Sequence, residues 1–318
     1  MRHILVIKLS ALGDFVLSLG AMQAIRAHHR GDRITLLTTA PFVALARASG
    51  CFDEVWIDPR APAWRAEVWL GLARKLRAAR FDRVYDLQRS GRTGWYFRLA
   101  GRPEWVGKAP GCSHHYLPPP GTEPHIVEWE RAQLARAGVG PLAPPDLSFI
   151  ASDLARFELP AETALLVPGS APHRPDKRWP AASYGELAEA LAEEGTTPVL
   201  IGGAAERAEM EAIAQACPAA RNLCGETSLF EVVTLARGAR VAVGNDTGPV
   251  HLIAAAGCPT LVLFSEASHP TKSRPPWPNV ETLREARLAD LPVAKVRAAV
   301  ERLRRPGPAR SGASAGSA

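Results

Sequence analysis

Short runs of aliphatic and β-branched residues alternate with stretches of helical spacing along nearly the whole chain. In the first half, Ile4 to Ile7, Ile34 to Leu37, Val55 to Ile57 and Val84 to Leu87 read as strands buried on both faces, each followed by a helical pattern. Strand and helix in alternation predict parallel sheets, because parallel neighbours need a long crossover that a helix supplies. The rhythm breaks over the Pro-rich stretch Leu117 to Pro124, a helix near Ile126 to Ala137, and Pro141 to Pro145. It resumes with strands near Ala164 to Val167, Val199 to Ile201, Val241 to Gly244 and Thr260 to Phe264. Helix starts are expected at Ser183 with Glu186 and at Ser228 with Glu231, both at capping-box spacing.

This pattern predicts an α/β protein of two Rossmann-like, doubly wound domains, which 318 residues accommodate. The first domain is placed over 1–155 and the second over 156–305, with the linker around Phe149 to Ala161. Residues 306–318 are expected to form a disordered tail, having almost nothing apolar to bury.

Composition narrows the picture. With 47% hydrophobic and 22% charged residues, the chain can fill two cores. The net charge of +6 is unevenly spread: Arg60 to Lys108 holds 12 basic against 4 acidic residues, the chain from Arg297 onward holds 5 against 1, and the remainder is net acidic. A local cationic patch of this kind suits a polyanionic partner. No nucleic-acid-binding motif accompanies it, which places nucleic acid last among the partners. Five cysteines without C-x-x-C spacing speak against a disulfide framework or a zinc site and fit a reducing cytoplasm. The apolar N-terminus is interrupted by Lys8 and Asp14, unlike a secretion signal. The longest apolar run, Leu252 to Phe264, falls short of the ~20 residues needed to span a bilayer.

Four strand ends carry candidate chemistry. Val243 to Leu252 runs a strand into a helix through Asn245-Asp246-Thr247-Gly248-Pro249, where unpaired N–H groups and the helix dipole would receive a diphosphate. Thr247 can donate a hydroxyl, Gly248 permits close approach, His251 lies in the first turn, and Asp246 suits a helix cap or a ribose contact better than a phosphate. Pro168-Gly169-Ser170, followed by Lys177 and Arg178, offers a hydroxyl and cations to a leaving diphosphate. Gly202-Gly203 is a second place where backbone can approach a nucleotide. Asp14, in Lys8-Leu9-Ser10-Ala11-Leu12-Gly13-Asp14, is either a helix cap or a general base facing the interdomain cleft. G-x-G-x-x-G, Walker, H-E-x-x-H and G-x-S-x-G motifs are all missing from the sequence.

Taken with Asp86-Leu87-Gln88-Arg89-Ser90, Lys177-Arg178-Trp179-Pro180 and Arg221 to Leu229, these segments resemble lipopolysaccharide heptosyltransferases of glycosyltransferase family nine. The resemblance covers Met1 to about Lys272 and implies a GT-B fold with two Rossmann-like domains facing a cleft. It further implies an inverting transferase that moves heptose from ADP-heptose to a hydroxyl of the inner core, using no metal and no cofactor beyond the donor. By family position Asp14 would be the catalytic base, Ser170, Lys177, Thr247, Gly248 and His251 would hold the diphosphate, and Asp246 would help fix the donor. The implied acceptor is a phosphorylated, carboxylated lipid A and Kdo core, for which Arg60, Arg89 and Arg92 are candidate contacts. A cytoplasmic protein with a peripheral contact at the inner membrane follows. Two features depart from the family pattern: a Pro-rich loop over 171–176 and Ser265 in place of a glycine. The rival readings are a GT-B transferase or epimerase for another nucleotide sugar, and a non-catalytic module that binds nucleotide sugars or polyanions.

Overall fold

The computed structural model describes residues 1–62, 64–170, 174–268 and 270–305. The first six strands are β1 (His3–Ile7), β2 (Arg33–Thr38), β3 (Glu54–Ile57), β4 (Arg83–Asp86), β5 (Glu104–Gly107) and β6 (His114–His115). They are joined by helices α1 (Leu12–Leu17), α2 (Leu19–His28), α3 (Val43–Ala48), α4 (Ala66–Ala79) and α5 (Gly91–Leu99), and α6 (Ile126–Ala135) follows. The second set is β7 (Thr163–Val167), β8 (Thr197–Leu200), β9 (Arg221–Asn222), β10 (Val241–Asn245), β11 (Thr260–Phe264) and β12 (Val280–Arg284). Its helices are α7 (Ala181–Glu193), α8 (Arg207–Ala216), α9 (Leu229–Gly238), α10 (Gly248–Ala255), α11 (Pro270–Ser273) and α12 (Val293–Arg304).

Both sheets are fully parallel and share one topology. The orders β3-β2-β1-β4-β5-β6 and β12-β11-β10-β7-β8-β9 each reverse direction beside their first strand. In such sheets ligands gather where the winding reverses, at the carboxyl ends of the strands. The two reversal points put the loops after β1 and β4 in one lobe opposite the loops after β7 and β10 in the other.

Side-chain alternation with period two explains the layering. Leu5 and Ile7 pack outward with Trp56, Phe97 and Trp105, while Ile4 and Val6 join Phe15 and Leu19 on the other face. That inner cluster continues into Leu165, Val167, Leu252 and Ile253 of the second lobe, so one apolar body ties the lobes together. The outer face of the second sheet has its own cluster around Leu166, Trp179, Tyr184 and Leu261.

The eight strands read from the sequence are all present, within a residue or two at their ends. Pattern reading missed β5, β6, β9 and β12. β6, β9 and β12 lie at sheet edges, β5 is four residues long, and β12 is only half-buried, so none carries a continuous apolar run. Ser228 and Glu231 form a reciprocal capping box. Ser183 does not cap: α7 begins two residues earlier, after Pro180. The buried Trp179 draws the chain in, its backbone N–H donating to Asn245 Oδ1 at 3.1 Å and its indole to the Leu291 carbonyl at 3.0 Å. Between α6 and β7 the only regular piece is a 3-10 turn, Ala155–Phe157, within the stretch read as a linker. The expected tail over 306–318 lies outside the described residues.

At Gly244 the strand leaves no room for a side chain, since a Cβ there would stand 2.5 Å from Val250 Cγ2 and 2.8 Å from Val167 Cβ. Gly244→Ala should therefore destabilise the protein by about 1–3 kcal/mol through overpacking, read as a lowered midpoint in thermal or urea unfolding.

Candidate active site

On the first lobe the site is built from the turns after β1 and β4. Asp14 sits in the first turn of α1, half-buried, and its carboxylate makes no hydrogen bond among the described residues. It is not a cap, because the N-cap is Ala11. Asp14 lines a cavity of about 720 Å3 together with Gln88, Arg89, Lys108, Trp129 and Lys272. Arg89 reaches its place through a left-handed backbone (φ 53°), held by the buried Asp86, whose Oδ1 accepts the Gln88 and Arg89 N–H groups at 3.1 and 3.0 Å. The Arg89 guanidinium lies over the Trp129 ring at 4.9 Å.

Beneath Asp14 lies a buried pair. Lys8 Nζ donates to the Leu87 carbonyl at 3.2 Å and stands 3.7 Å from Glu130 Oε1, which accepts the Ser18 hydroxyl at 2.6 Å. Burial draws Lys8 below the usual lysine range and lifts Glu130 above the usual carboxylate range, each offset in part by the other's charge.

On the second lobe, α10 starts at Gly248 with Pro249 in its first turn, and the N-cap Thr247 makes no side-chain capping bond. The Thr247 hydroxyl and His251 Nδ1 are buried without a protein partner among the described residues. Two orphaned polar atoms at a helix N-terminus are what an anion would satisfy. Asp246 neither caps nor hangs free. Its Oδ2 accepts from Lys177 Nζ at 2.8 Å and from the Ser268 hydroxyl at 2.9 Å, while Oδ1 faces His251 Nε2 at 3.4 Å. Burial alone would raise its pKa, but the hydrogen bonds and positive charges of His251 and Lys177 outweigh this and hold the carboxyl far below its ordinary range.

The two half-sites touch. A Cβ on Gly13 would lie 2.9 Å from His251 Cδ2, and one on Gly248 would lie 2.6 Å from Leu12 Cβ. The N-termini of α1 and α10 therefore abut across the lobes, and Asp14 follows Gly13 directly. The tertiary structure thus brings together Asp14, Lys177, Asp246, Thr247, Gly248 and His251.

Ser170 and Gly202 are placed differently. Ser170 is buried, donating to the Arg174 carbonyl at 2.8 Å and accepting from Arg178 Nε at 3.0 Å. Gly202 faces Met210 and the Glu206 carboxylate, which also fills the space beside Gly169 and accepts the Gly203 N–H at 2.8 Å. Of the arginines considered for an anionic acceptor, only Arg89 lines the cavity. Arg92 is committed to Asp58, the Ala61 carbonyl and Tyr96, while exposed Arg60 donates to the Ser10 hydroxyl at 3.3 Å. Sequence reasoning missed Ser268, Asn245 and Glu206. Asn245 was visible as the last residue of a buried strand, and there it joins Trp179, Tyr184 and the Pro168 carbonyl. Ser268 carried no signal, since it meets Asp246 from a separate loop, whereas Glu206 stood at capping-box spacing from Gly203.

Two Rossmann-like lobes whose reversal-point loops meet over a shared cleft make up the GT-B fold. Residues 69–295 match the model of glycosyltransferase family 9 (heptosyltransferase), and the chain belongs to that family. It is 35% identical over 160 residues to lipooligosaccharide heptosyltransferase 2 of Haemophilus influenzae, covering 46% of this chain and 44% of that one. It is 28% identical over 281 residues to lipopolysaccharide heptosyltransferase 1 of Pseudomonas aeruginosa, covering 82% and 78% of the two chains. Among solved structures, ADP-heptose lipopolysaccharide heptosyltransferase II of Escherichia coli superposes with a TM-score of 0.79 at 25% identity, over 95% of this chain and 98% of that one. The first curated relatives are matched over less than half of their own length, 44% and 40%.

The Asp246 network makes a pH-dependent contribution to stability. A carboxyl depressed in the folded state stabilises fully above its unfolded value, about 3.9, and loses that contribution as pH falls toward its folded value. Asp246→Asn should cost on the order of 2 kcal/mol at neutral pH, between exposed and fully buried pairs. The gap between wild type and variant should shrink below about pH 4, as urea denaturation across pH would show.

Proposed function

We propose that this protein transfers heptose from ADP-heptose to a hydroxyl of a lipopolysaccharide inner-core acceptor, with inversion at the anomeric carbon and without a metal cofactor. The observation that carries the reading is the unpartnered Asp14 carboxylate, one residue from the point where Gly13 meets His251 at the N-terminus of α10. Family membership and relatives named for heptose transfer to lipopolysaccharide or lipooligosaccharide support the same substrates.

In this mechanism the acceptor hydroxyl enters from the Asp14 side. Asp14 takes its proton as the oxygen bonds to the anomeric carbon, the bond from that carbon to the diphosphate oxygen breaks, and the electron pair leaves on ADP. Transition-state charge at that oxygen would be met by the α10 N–H groups, the Thr247 hydroxyl and His251. Lys177 stands beside them on Asp246, at the edge of the same site, and would share its charge with the diphosphate. Arg89 and Lys108 give the acceptor side of the cavity a positive lining suited to a phosphorylated or carboxylated saccharide, while Lys272 pairs with Glu123 at 2.6 Å on the same wall. Ser170 and Gly202 would act on the donor through the loops they support, a role that their present partners favour over direct contact.

A lipid-linked acceptor calls for a peripheral membrane contact. No helix among the described residues is long and apolar enough to cross a membrane. Trp64, Leu70 and Trp95 are exposed, Trp64 by 83%, on or just before α4 and α5, which also expose Arg65, Arg74 and Arg98, and Leu117 is exposed in the loop beside the cavity. Aromatic rings flanked by cations suit the interface of an anionic bilayer.

Two experiments test the proposal. Asp14→Asn should keep ADP-heptose affinity by calorimetry while ADP release in the presence of acceptor falls about 10^3-fold, and unchanged turnover would remove Asp14 as the base. Trp64→Ser/Trp95→Ser should weaken co-sedimentation with phosphatidylglycerol vesicles without altering turnover of a delipidated acceptor; undiminished sedimentation would refute that contact.

A further inference from the structure

Once the chain leaves β1, its backbone groups lose their ladder partners. Lys8 still donates its N–H to the Leu37 carbonyl at 3.1 Å, as the last parallel bond with the neighbouring strand. After that, Leu9 and Ser10 turn away toward α1, and Leu9 is buried. Two backbone N–H groups in such a position must find partners or cost the desolvation of each. Both find the same atom: Gln88 Oε1 accepts the Leu9 N–H at 2.7 Å and the Ser10 N–H at 3.1 Å. Its Nε2 stands 3.4 Å from the Ser10 hydroxyl, which also accepts from Arg60 Nη1 at 3.3 Å. On the other side of the turn, the Thr39 hydroxyl donates to the Leu9 carbonyl at 2.9 Å. Phe15 N–H then donates to the Ala11 carbonyl at 2.8 Å and opens α1, which carries Asp14.

Gln88 is itself firmly held. Its N–H is fixed by Asp86 Oδ1, and Asp86 is fully buried at the end of β4. The Asp86 carbonyl accepts from Gln133 Nε2 at 3.0 Å, which ties the strand end to α6. A chain of hydrogen bonds thus runs from α6 through Asp86 and Gln88 to the turn that aims Asp14. Among the described residues Asp14 has no bond of its own to fix its carboxylate, so its position depends on the backbone that carries it.

We propose that Gln88 is a positioning residue for transfer: by accepting both N–H groups of the turn after β1, its side chain sets the place of Asp14 relative to α10. The proposal rests on the reading of Asp14 as the base. A side chain acting in this way affects the chemical step far more than donor binding, because a displacement of about 1 Å at a base can cost about 100-fold in rate.

The test combines two variants with readouts that separate positioning from mere support. Gln88→Leu removes the acceptor atom and should lower kcat about 10- to 100-fold, with donor KM unchanged and faster hydrogen exchange at the Leu9 and Ser10 amides. Gln88→Glu keeps an oxygen for both N–H groups and should restore kcat at high pH. Its added negative charge near Asp14 should move the acid limb of the kcat profile to higher pH. Should Gln88→Leu fail to fold, the rate and pH profile of Gln88→Glu carry the test. A kcat near wild type in Gln88→Leu, an acceptor KM effect with unchanged kcat, or unaltered amide exchange would each overturn the proposal. The exchange measurement needs no substrate, so it judges the clamp even where wild-type protein fails to release ADP from ADP-heptose, the result that would instead sink the proposed function.

Discussion

The contact between two helix N-termini is the constraint on which the rest depends. Gly13 and Gly248 are bare at the one place where α1 and α10 meet, and a methyl group on either would collide with His251 or Leu12. Because both helices begin at the reversal points of their sheets, their orphaned N–H groups open onto the same cleft. Packing holds the halves this close: the inner apolar cluster runs unbroken from Phe15 and Leu19 to Leu252 and Ile253.

Around that contact the charges are sorted by side. The second lobe holds a carboxylate, Asp246, paired with Lys177 and steadied by Ser268 and His251 beside the N-terminus of α10. The first lobe holds the opposite arrangement. Asp14 has no side-chain partner among the described residues, while Lys8 and Glu130 are enclosed below it as a pair. The carboxylate proposed as the base borders the cavity, and Lys8 and Glu130 are enclosed away from it.

The cationic patch shows how far linear charge counts mislead. Between Arg60 and Lys108, Arg83 is spent on Glu104, Arg92 on Asp58 and the Ala61 carbonyl, and Arg77 on the Leu99 carbonyl. Of the basic residues in this stretch, Arg89 and Lys108 line the cavity beside Asp14. Others, such as Arg65 and Arg74, are exposed on or just before α4, where they face solvent beside Trp64 and Leu70.

Sequence alone determined the parallel α/β character, eight of the twelve strands and the strand-end loops that carry Asp14, Asp246, Thr247, Gly248 and His251. These follow from local periodicity and from the rule that ligands collect at strand ends, both of which are written in neighbouring residues. Tertiary structure decided which loops face one another, that Ser170 and Gly202 support loops, that α7 starts before Ser183, and that Gln88 holds the turn bearing Asp14. The facing of the loops, the start of α7 beside Trp179 and the Gln88 contact depend on residues tens of positions apart, whose meetings spacing along a chain does not encode; Ser170 and Gly202 are held by partners four and eight residues on, whose side-chain directions only the fold sets.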